Sequence, residues 1–309
     1  MTALARVGRR VLGNRLLRRL ALASAALRGH GLVLVFHRIT ADADPSSGLL
    51  PALPKGLFRR HVEALLEIGD VVRLEELLEP ATQRRRPRFV LTFDDDFASH
   101  QRHALPVLRS LEVTATFFLS GRTLHGLEPL WFERLESHMV RQGVGTTARW
   151  LGIDTDDPVQ LATACENDLE LQQRVNTLPV DGIERLDRIG IRALADAGMS
   201  IGFHTLHHVL LRLLGDRALD EALTNGRAQL EEASGRPVRC FAYPHGKPDP
   251  RSGERLRHHG FVAACTGRPT YVGPGDDPYL IGRWEPGAIE VDEFISRATA
   301  KLNVRRAGA

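Results

Sequence analysis

Three consecutive carboxylates follow an apolar run in this sequence. The run Arg88–Phe93 is directly followed by Asp94, Asp95 and Asp96. Adjacent like charges repel one another, and burying an ionised carboxylate is costly unless something compensates its charge. A divalent cation at the end of the strand would supply that compensation. The alternative is a solvated acidic turn with no ligand.

A cluster of histidines follows a second apolar run. Met199–Phe203 is followed by His204, His207 and His208. Neutral imidazole is a common metal ligand, and two imidazoles four positions apart can converge on one ion if the backbone turns after the strand. The alternative is a surface histidine cluster. If both runs are strands of one parallel barrel, the two clusters lie on the same face and supply two histidines and a carboxylate to one ion.

The elements that would position these groups alternate along the chain, which predicts an α/β fold: a (β/α) barrel with about seven parallel strands. The predicted strands are Leu32–Phe36, Arg88–Phe93, Thr114–Leu119, Met199–Phe203, Arg239–Tyr243, Phe261–Ala264 and Tyr279–Arg283. The predicted helices between them are Leu57–Glu67, Leu74–Leu78, Ala104–Leu111, Glu184–Ala197, Asp216–Ala233 and Pro250–His259. Gly69 and Gly198 follow two of these helices and are predicted to be left-handed caps.

The alternation is interrupted once. Residues 121–182 contain the helical patterns Trp131–Gln142 and Pro158–Val175, which predict a helical insertion on the rim of the barrel. The barrel itself is predicted to span residues 31–302. A basic amino-terminal segment, residues 1–30, precedes it, and a short tail, residues 303–309, follows.

Composition and charge exclude some functions. A net charge of +3 over 309 residues is too small for a nucleic-acid-binding face, so no nucleic-acid partner is expected. The three cysteines show no paired spacing, which favours a reducing compartment. Residues 1–30 are rich in arginine, with no acidic residue before Asp42, but contain no convincing signal peptide. We expect a cytoplasmic protein. The basic segment is expected to form a helix that packs on the domain or trails from it, and the alternative is peripheral contact with an anionic membrane surface.

The two motifs resemble those of the polysaccharide deacetylases (the NodB-homology group, carbohydrate esterase family four). The matching residues are Thr92-Phe93-Asp94-Asp95 and His204-Thr205-Leu206-His207-His208, with weaker matches at Val35–Arg38, Ala195–Met199 and Phe241–Gly246. The resemblance covers roughly residues 30–302 without the insertion. It implies a distorted (β/α) barrel and metal-dependent removal of N-acetyl groups from the N-acetylhexosamine units of a glycan.

The resemblance also implies roles for individual residues. Asp94 is the general base, and one divalent metal ion, expected to be zinc, is bound by Asp95, His204 and His208. Thr205 steadies the loop between the histidines, and His207 is unmatched. The third motif of the family matches Phe241–Gly246 here. It implies substrate binding by Tyr243, Pro244 and His245, with the backbone N–H of His245 holding the oxyanion.

The sequence departs from the family pattern in three ways. Asp96 stands where many members have glycine, and its backbone would have to tolerate a left-handed turn. Ala242 stands where an arginine usually orients the base, and we hypothesise that Arg283 supplies that charge from a later strand. No Leu-x-His motif provides the acid near the carboxyl terminus, so the candidates are His37, after the first strand, and His245.

Two other functions remain open at this stage. One is a catalytically weak or inactive deacetylase-like protein that binds glycans, and the other is a related hydrolase of a non-sugar amide. The glycan itself is not identified: a surface polysaccharide, a lipid-linked precursor, peptidoglycan and chitin-like oligomers all fit. Trp131, Trp150 and Trp284 are each able to stack on a sugar or to pack in the protein.

Overall fold

The structure, a computed structural model, describes residues 15–42, 49, 51–79, 85–179 and 183–304. Residues 1–14 of the predicted basic segment and 305–309 of the predicted tail lie outside the described residues, as do 180–182 at the end of the predicted insertion.

Seven parallel strands form a nearly closed barrel. They are β1 (Gly31–Phe36), β5 (Arg88–Asp94), β6 (Thr116–Leu119), β7 (Ser200–Phe203), β8 (Cys240–Ala242), β9 (Ala263–Cys265) and β10 (Arg283–Trp284). Their order in the sheet is β10-β1-β5-β6-β7-β8-β9. The two ends meet where the Ile281 N–H donates to the Ala264 carbonyl at 3.0 Å and the Thr266 N–H donates to the Ile281 carbonyl at 2.7 Å. The predicted barrel is therefore confirmed.

Three short strands were not predicted. β2 (Arg38–Thr40) and β3 (Ala52–Pro54) pair with each other, and β4 (Asp70–Val71) pairs with the start of β5. Strands of two or three residues are too short to show an alternating hydrophobic pattern, so the sequence gives no signal for them.

Helices surround the barrel and fill the insertion. They are α1 (Arg15–Leu27), α2 (Lys55–Ile68), α3 (Leu74–Leu78), α4 (Leu105–Ser110), α5 (Trp131–Gln142), α6 (Val144–Leu151), α7 (Pro158–Asn167), α8 (Leu169–Val175), α9 (Arg188–Asp196), α10 (Asp216–Thr224), α11 (Arg227–Ser234), α12 (Ser252–His258) and α13 (Val291–Lys301). A π-helical turn (His100–Ala104) precedes α4, and short 3₁₀ turns lie at Arg122–His125, Leu211–Leu213 and Pro244–Gly246. None of the described helices is long and apolar enough to cross a bilayer.

Two predicted helices are each broken into two. Asp216–Ala233 is interrupted between α10 and α11, where Gly226 has a φ of 96°. Pro158–Val175 is interrupted at Asp168, whose side chain accepts hydrogen bonds from the first N–H groups of α8 and so starts a new helix.

The two predicted glycine caps differ. Gly198 has a φ of 84°, as a left-handed cap requires. Gly69 has a φ of −169°, which is extended, so that prediction is wrong. Glycine is needed at position 69 for space, because a Cβ there would collide with the Phe89 ring and the Pro87 carbonyl.

Side chains along each strand alternate between the barrel interior and the surrounding helices. In β1, for example, Leu32, Leu34 and Phe36 belong to the large core beneath the helices, whereas Val33 belongs to the smaller core inside the barrel. The insertion has a third core of its own, built around Trp131, Leu135, Leu151, Leu161 and Cys165.

Candidate active site

In four strands, the series of side chains that point into the barrel ends in a polar residue at one mouth of the barrel. Val90 and Thr92 lead to Asp94 in β5, and Val33 and Val35 of β1 lead to His37. In the same alternation His204 directly follows β7, and Arg283 lies in β10 with Glu285 two positions later. The parallel arrangement places all of these groups at the carboxyl ends of the strands, where barrel enzymes carry their active sites.

Asp95, His204 and His208 come together at this mouth. One donor atom from each lies within 4.8 Å of the others. Asp95 Oδ1 is 3.8 Å from His204 Nε2 and 3.7 Å from His208 Nε2. All three residues are buried. The three residues that the sequence predicted as ligands thus form one compact cluster.

Backbone bends, not a helical turn, bring the two histidines together. Thr205 and His208 have φ values of 59° and 49°, in the left-handed region. The Thr205 hydroxyl accepts a hydrogen bond from the His208 N–H at 3.1 Å, which holds the loop in this shape. His207 points outward and is exposed. The loop therefore turns both His204 and His208 inward while excluding the histidine between them.

The cluster has the properties of a cation site. Asp95 Oδ1 is buried and has no hydrogen-bond partner. Burial raises the pKa of Asp95 to about 8, with Asp94 nearby adding to the effect, so an ionised carboxylate here needs a positive neighbour. His204 Nδ1 donates to the Ala242 carbonyl at 2.8 Å, which leaves Nε2 with a free lone pair. Burial lowers the pKa of His204 and keeps it neutral, as a metal ligand must be.

Asp94 is held by Arg283 through two hydrogen bonds. Arg283 Nη1 donates to Asp94 Oδ1 at 2.6 Å, and Nη2 donates to Oδ2 at 2.7 Å. Burial alone would raise the pKa of Asp94, but the Arg283 charge, the Arg283 hydrogen bonds and the nearby His204 and His37 together outweigh it and lower the pKa to about 2. Asp94 Oδ2 also lies 3.8 Å from His204 Nε2. Ala242 stands where relatives usually have the arginine that orients the base. Arg283 lies beside Asp94 instead, as hypothesised from the sequence.

His37 faces the same cleft and is paired with Glu285. His37 Nδ1 donates to Glu285 Oε1 at 2.9 Å. Burial alone would lower the pKa of His37, but the Glu285 carboxylate raises it to about 9, with smaller contributions from Asp94 and Asp95. His37 is therefore a protonated imidazole at neutral pH. Sequence reasoning missed Glu285, although its place two residues after Arg283 on the same interior row was a usable signal.

Asp96 and His100 hold the backbone around Asp94 and Asp95 in place. Asp96 does not face the cluster: its carboxylate accepts from the backbone N–H of Ser120 at 2.9 Å and from that of Arg122 at 3.3 Å. The left-handed residue of this turn is Asp95, with a φ of 70°, and not Asp96 as expected. His100, which sequence reasoning missed, donates from Nε2 to the Asp94 and Asp95 carbonyls at 3.1 and 3.0 Å.

The cluster opens into a cleft of about 690 Å³. One wall is α7 of the insertion, which presents Val159, Ala162, Thr163 and Glu166, spaced as one helix face. The Glu166 carboxylate is 2.6 Å from Lys247 Nζ, so an ion pair ties this wall to the loop after β8. The insertion therefore forms part of the site.

The third-motif residues divide into two groups. His245 lines the cleft, with Nδ1 3.1 Å from Glu166 Oε1. Tyr243 is fully buried and donates its hydroxyl to the Tyr279 carbonyl at 3.1 Å, and Pro244 is also buried. Among the described residues, neither of these two side chains lines the cleft. The prediction that Tyr243 and Pro244 bind substrate is corrected for their side chains, because Tyr243 packs in the core and Pro244 is buried away from the cleft lining.

Two of the three tryptophans line the cleft. Trp131 and Trp284 line the cleft, whereas Trp150 is 42% exposed and packs against Arg174 outside it. Trp284 stacks on Phe294 with ring centroids 5.5 Å apart, so one of its faces is already covered. Trp131 and Trp284 are only 7% and 5% exposed, so a small part of each ring can reach a ligand in the cleft, and Trp150 does not reach it.

The polysaccharide deacetylase family model matches residues 81–264, which include the acidic triplet, the histidine loop and the loop after β8. The chain belongs to the polysaccharide deacetylase family. It is accordingly a hydrolase that acts on N-acetyl amide bonds, and the resemblance seen in the sequence is confirmed. No curated protein matches the sequence.

Solved structures agree with this assignment in fold. The deacetylase PplD of Streptococcus pyogenes has a TM-score of 0.62 at 14% identity, with 87% of this chain and 98% of that chain covered. IcaB of Ammonifex degensii has a TM-score of 0.59 at 23% identity, with 89% and 97% covered. The polysaccharide deacetylase BC0361 of Bacillus cereus has a TM-score of 0.60 at 17% identity, with 87% and 69% covered. The polysaccharide deacetylase barrel thus extends over most of this chain, including parts outside the matched range.

Proposed function

We propose that this protein is a zinc-dependent de-N-acetylase of N-acetylhexosamine units in a polysaccharide or glycan precursor. The observation that carries the proposal is the arrangement at the barrel mouth. A carboxylate held by an arginine lies beside a compact carboxylate and imidazole cluster, and an imidazole paired with a glutamate faces the same cleft.

Asp95, His204 and His208 would hold the ion. Two neutral imidazoles and one carboxylate are a frequent ligand set for zinc in hydrolases, and the buried, unpartnered Asp95 Oδ1 fits such a role. A divalent cation bound there supplies acidity to a water molecule and polarises the amide carbonyl. The His204 hydrogen bond to Ala242 fixes the tautomer and orientation of that ligand.

Asp94 is the proposed general base. Its two bonds to Arg283 fix the carboxylate plane, and its low pKa keeps it ionised at neutral pH. A carboxylate with so low a pKa is a weak base, so it can take a proton only from a water that has been made unusually acidic.

His37 is the proposed general acid. Cleavage of the amide leaves an amine that must be protonated as it departs, and His37 is a half-buried imidazole with a raised pKa that faces the cleft. Glu285 holds the His37 ring through Nδ1, so Nε2 is the nitrogen that is left to give its proton to the amine.

The cleft suits a sugar substrate. It combines polar groups at its floor with apolar and aromatic walls that include Trp131, Phe132 and Trp284. Sugars present apolar faces to such rings and hydroxyl groups to the polar side chains. An N-acetylhexosamine whose acetamide reaches Asp94 would lie against these walls.

The metal role is tested by His204→Ala, with His207→Ala as the matched control. His204→Ala is expected to lose the ion, measured by elemental analysis of the purified protein, and to lose release of acetate from N-acetylhexosamine oligomers. His207→Ala should keep both, because His207 is exposed and outside the cluster. Retention of a full equivalent of metal by His204→Ala would contradict the proposed ligand set. Metal-loaded wild-type protein that releases no acetate from any such oligomer would refute the proposed substrate class.

The acid role is tested by Glu285→Gln. The wild-type protein is expected to lose activity as pH rises through the pKa of His37, because only the protonated imidazole donates a proton. Removing the Glu285 charge leaves burial as the main effect and lowers that pKa, so the alkaline limb of kcat/KM should move to lower pH. His37→Ala serves as the reference without the acid. An alkaline limb that does not move in Glu285→Gln would exclude His37 as the acid.

A further inference from the structure

Helix α1 lies at the end of the barrel opposite to the active site. Arg18 and Leu22 of α1 line a groove whose other side includes Ile68 and Arg86. Ile68 and Arg86 lie two residues before the starts of β4 and β5, so the groove lies at the amino ends of these strands. The catalytic cluster lies at the carboxyl ends, separated from α1 by the length of the barrel.

The outer face of α1 is an apolar stripe. Leu16, Leu20 and Leu27 are 64%, 58% and 84% exposed, and the exposed Ala23 lies between the last two. Their spacing of four, three and four residues places them on one line along the helix. Leu22, Ala25 and Ala26 face the protein and are buried. Scattered exposed leucines are ordinary, but an aligned row on one short helix marks a contact surface.

Arginines border this stripe. Arg15, Arg19 and Arg28 are exposed beside it. The adjoining groove adds Arg18, Arg85 and Arg86, of which Arg86 pairs with Asp70 at 3.1 Å, and Glu67 is the acidic residue among those that line it. An apolar line flanked by positive charge is the surface expected of a helix that lies in the plane of a membrane interface.

We propose that α1 and this arginine groove bind the surface of a bilayer that contains anionic phospholipid. The leucines enter the boundary between headgroups and acyl chains, and the arginines bind the phosphates of the headgroups. A second copy of the chain is a poorer occupant, because pairing two stripes face to face would bring the flanking arginines of both copies together.

This placement has a consequence for the substrate. Strand β5 has seven residues, so the cleft mouth lies on the order of 20 Å from the amino ends of the strands. A bilayer bound by α1 would therefore face the amino ends of the strands. The cleft would open away from the lipid surface, which suits a glycan that extends into solution better than a sugar held at a lipid headgroup. This consequence rests on the proposed function, whereas membrane binding itself does not.

The test is co-sedimentation of the full chain with vesicles of phosphatidylcholine alone or of phosphatidylcholine mixed with phosphatidylglycerol. Wild-type protein is expected to pellet with the mixed vesicles and to be released by high salt. Leu20→Glu/Leu27→Glu and Arg19→Glu/Arg28→Glu should each weaken this binding by about tenfold or more. Ile189→Glu is the matched control, because Ile189 is 74% exposed on α9, away from α1 and from the cleft. It should bind as the wild type does.

Several results would overturn the proposal: no pelleting of wild-type protein with the mixed vesicles, equal pelleting with both kinds of vesicle, or unchanged binding by both double variants. A wild-type dimer that Leu20→Glu/Leu27→Glu converts to a monomer, without vesicle binding, would assign the stripe to a second copy instead. Release of acetate from soluble oligomers is expected to be the same in all these variants. The vesicle assay therefore fails or succeeds independently of the deacetylase assay.

Discussion

Asp94→Asn is expected to lower kcat for acetate release by about 10² to 10⁴ while the protein keeps its metal ion. The amide has nearly the shape of the carboxylate, and its oxygen can still accept from Arg283, but it cannot take up a proton. Metal should be retained because Asp94 is not one of the three clustered ligands, although its Oδ2 lies near His204. Arg283 would lose its counter-charge, so kcat is measured well below the unfolding temperature of the variant.

The two neighbouring carboxylates provide the comparison for this variant. Asp95→Asn should lose metal and activity together, because its Oδ1 faces the imidazoles. Asp96→Asn should keep its metal, because this side chain faces the backbone after β6 and not the cluster. It should be less stable than the wild type, because the new amide NH2 cannot accept a hydrogen bond from a backbone N–H. Loss of metal from Asp94→Asn, with full metal in Asp95→Asn, would mean that the two adjacent residues have exchanged roles.

The position of the polar residues at the barrel mouth could be predicted because these residues follow predictable strands. Alternate residues of a strand point to the same side of the sheet. Asp94, at the end of β5, therefore points to the same side as Thr92. The parallel sheet then brings the residues after β5 and β7 to one mouth. Both arguments use only strand geometry, and the strands themselves can be predicted from a few consecutive residues.

The pairing of Arg283 with Asp94 was hypothesised from the sequence, but the pairing of His37 with Glu285 was not. His37 and Glu285 are 248 positions apart, and their contact depends on β10 closing the sheet beside β1. The hydrogen bonds of His100 to the Asp94 and Asp95 carbonyls depend on a π-helical turn that no sequence pattern marks. Tyr243 was placed in the cleft because its neighbours resemble a motif, but the direction of its ring is decided by space in the core.

The insertion shows a further limit. Its helices could be predicted from their periodicity, but the face that α7 turns to the cleft depends on tertiary packing. Leu161 and Cys165 are buried in the core of the insertion, which leaves Thr163 and Glu166 facing the site. The contact of Glu166 with Lys247 and His245 joins segments about eighty residues apart and gave no local signal.

Arg283→Ala is expected to impair both stability and catalysis. Removing one member of a buried, hydrogen-bonded ion pair costs about 3–5 kcal/mol in the free energy of unfolding, because the partner is left with an uncompensated charge. Asp94 would then be governed by burial, which raises its pKa. A base works only above its pKa, so the acid limb of the kcat/KM profile should move to higher pH, and the loss of activity should be greatest on the acid side.

Arg283→Lys separates the effect of charge from that of geometry. Lysine keeps the positive charge but cannot make the two parallel hydrogen bonds that fix the carboxylate plane. It should therefore retain most of the low pKa of Asp94, leaving the acid limb near its wild-type position, while kcat falls on the plateau. A profile that coincides with the wild type in both Arg283→Ala and Arg283→Lys would show that Arg283 has no part in the reaction. An acid limb displaced equally in both would show that the paired hydrogen bonds, more than the charge, keep Asp94 ionised.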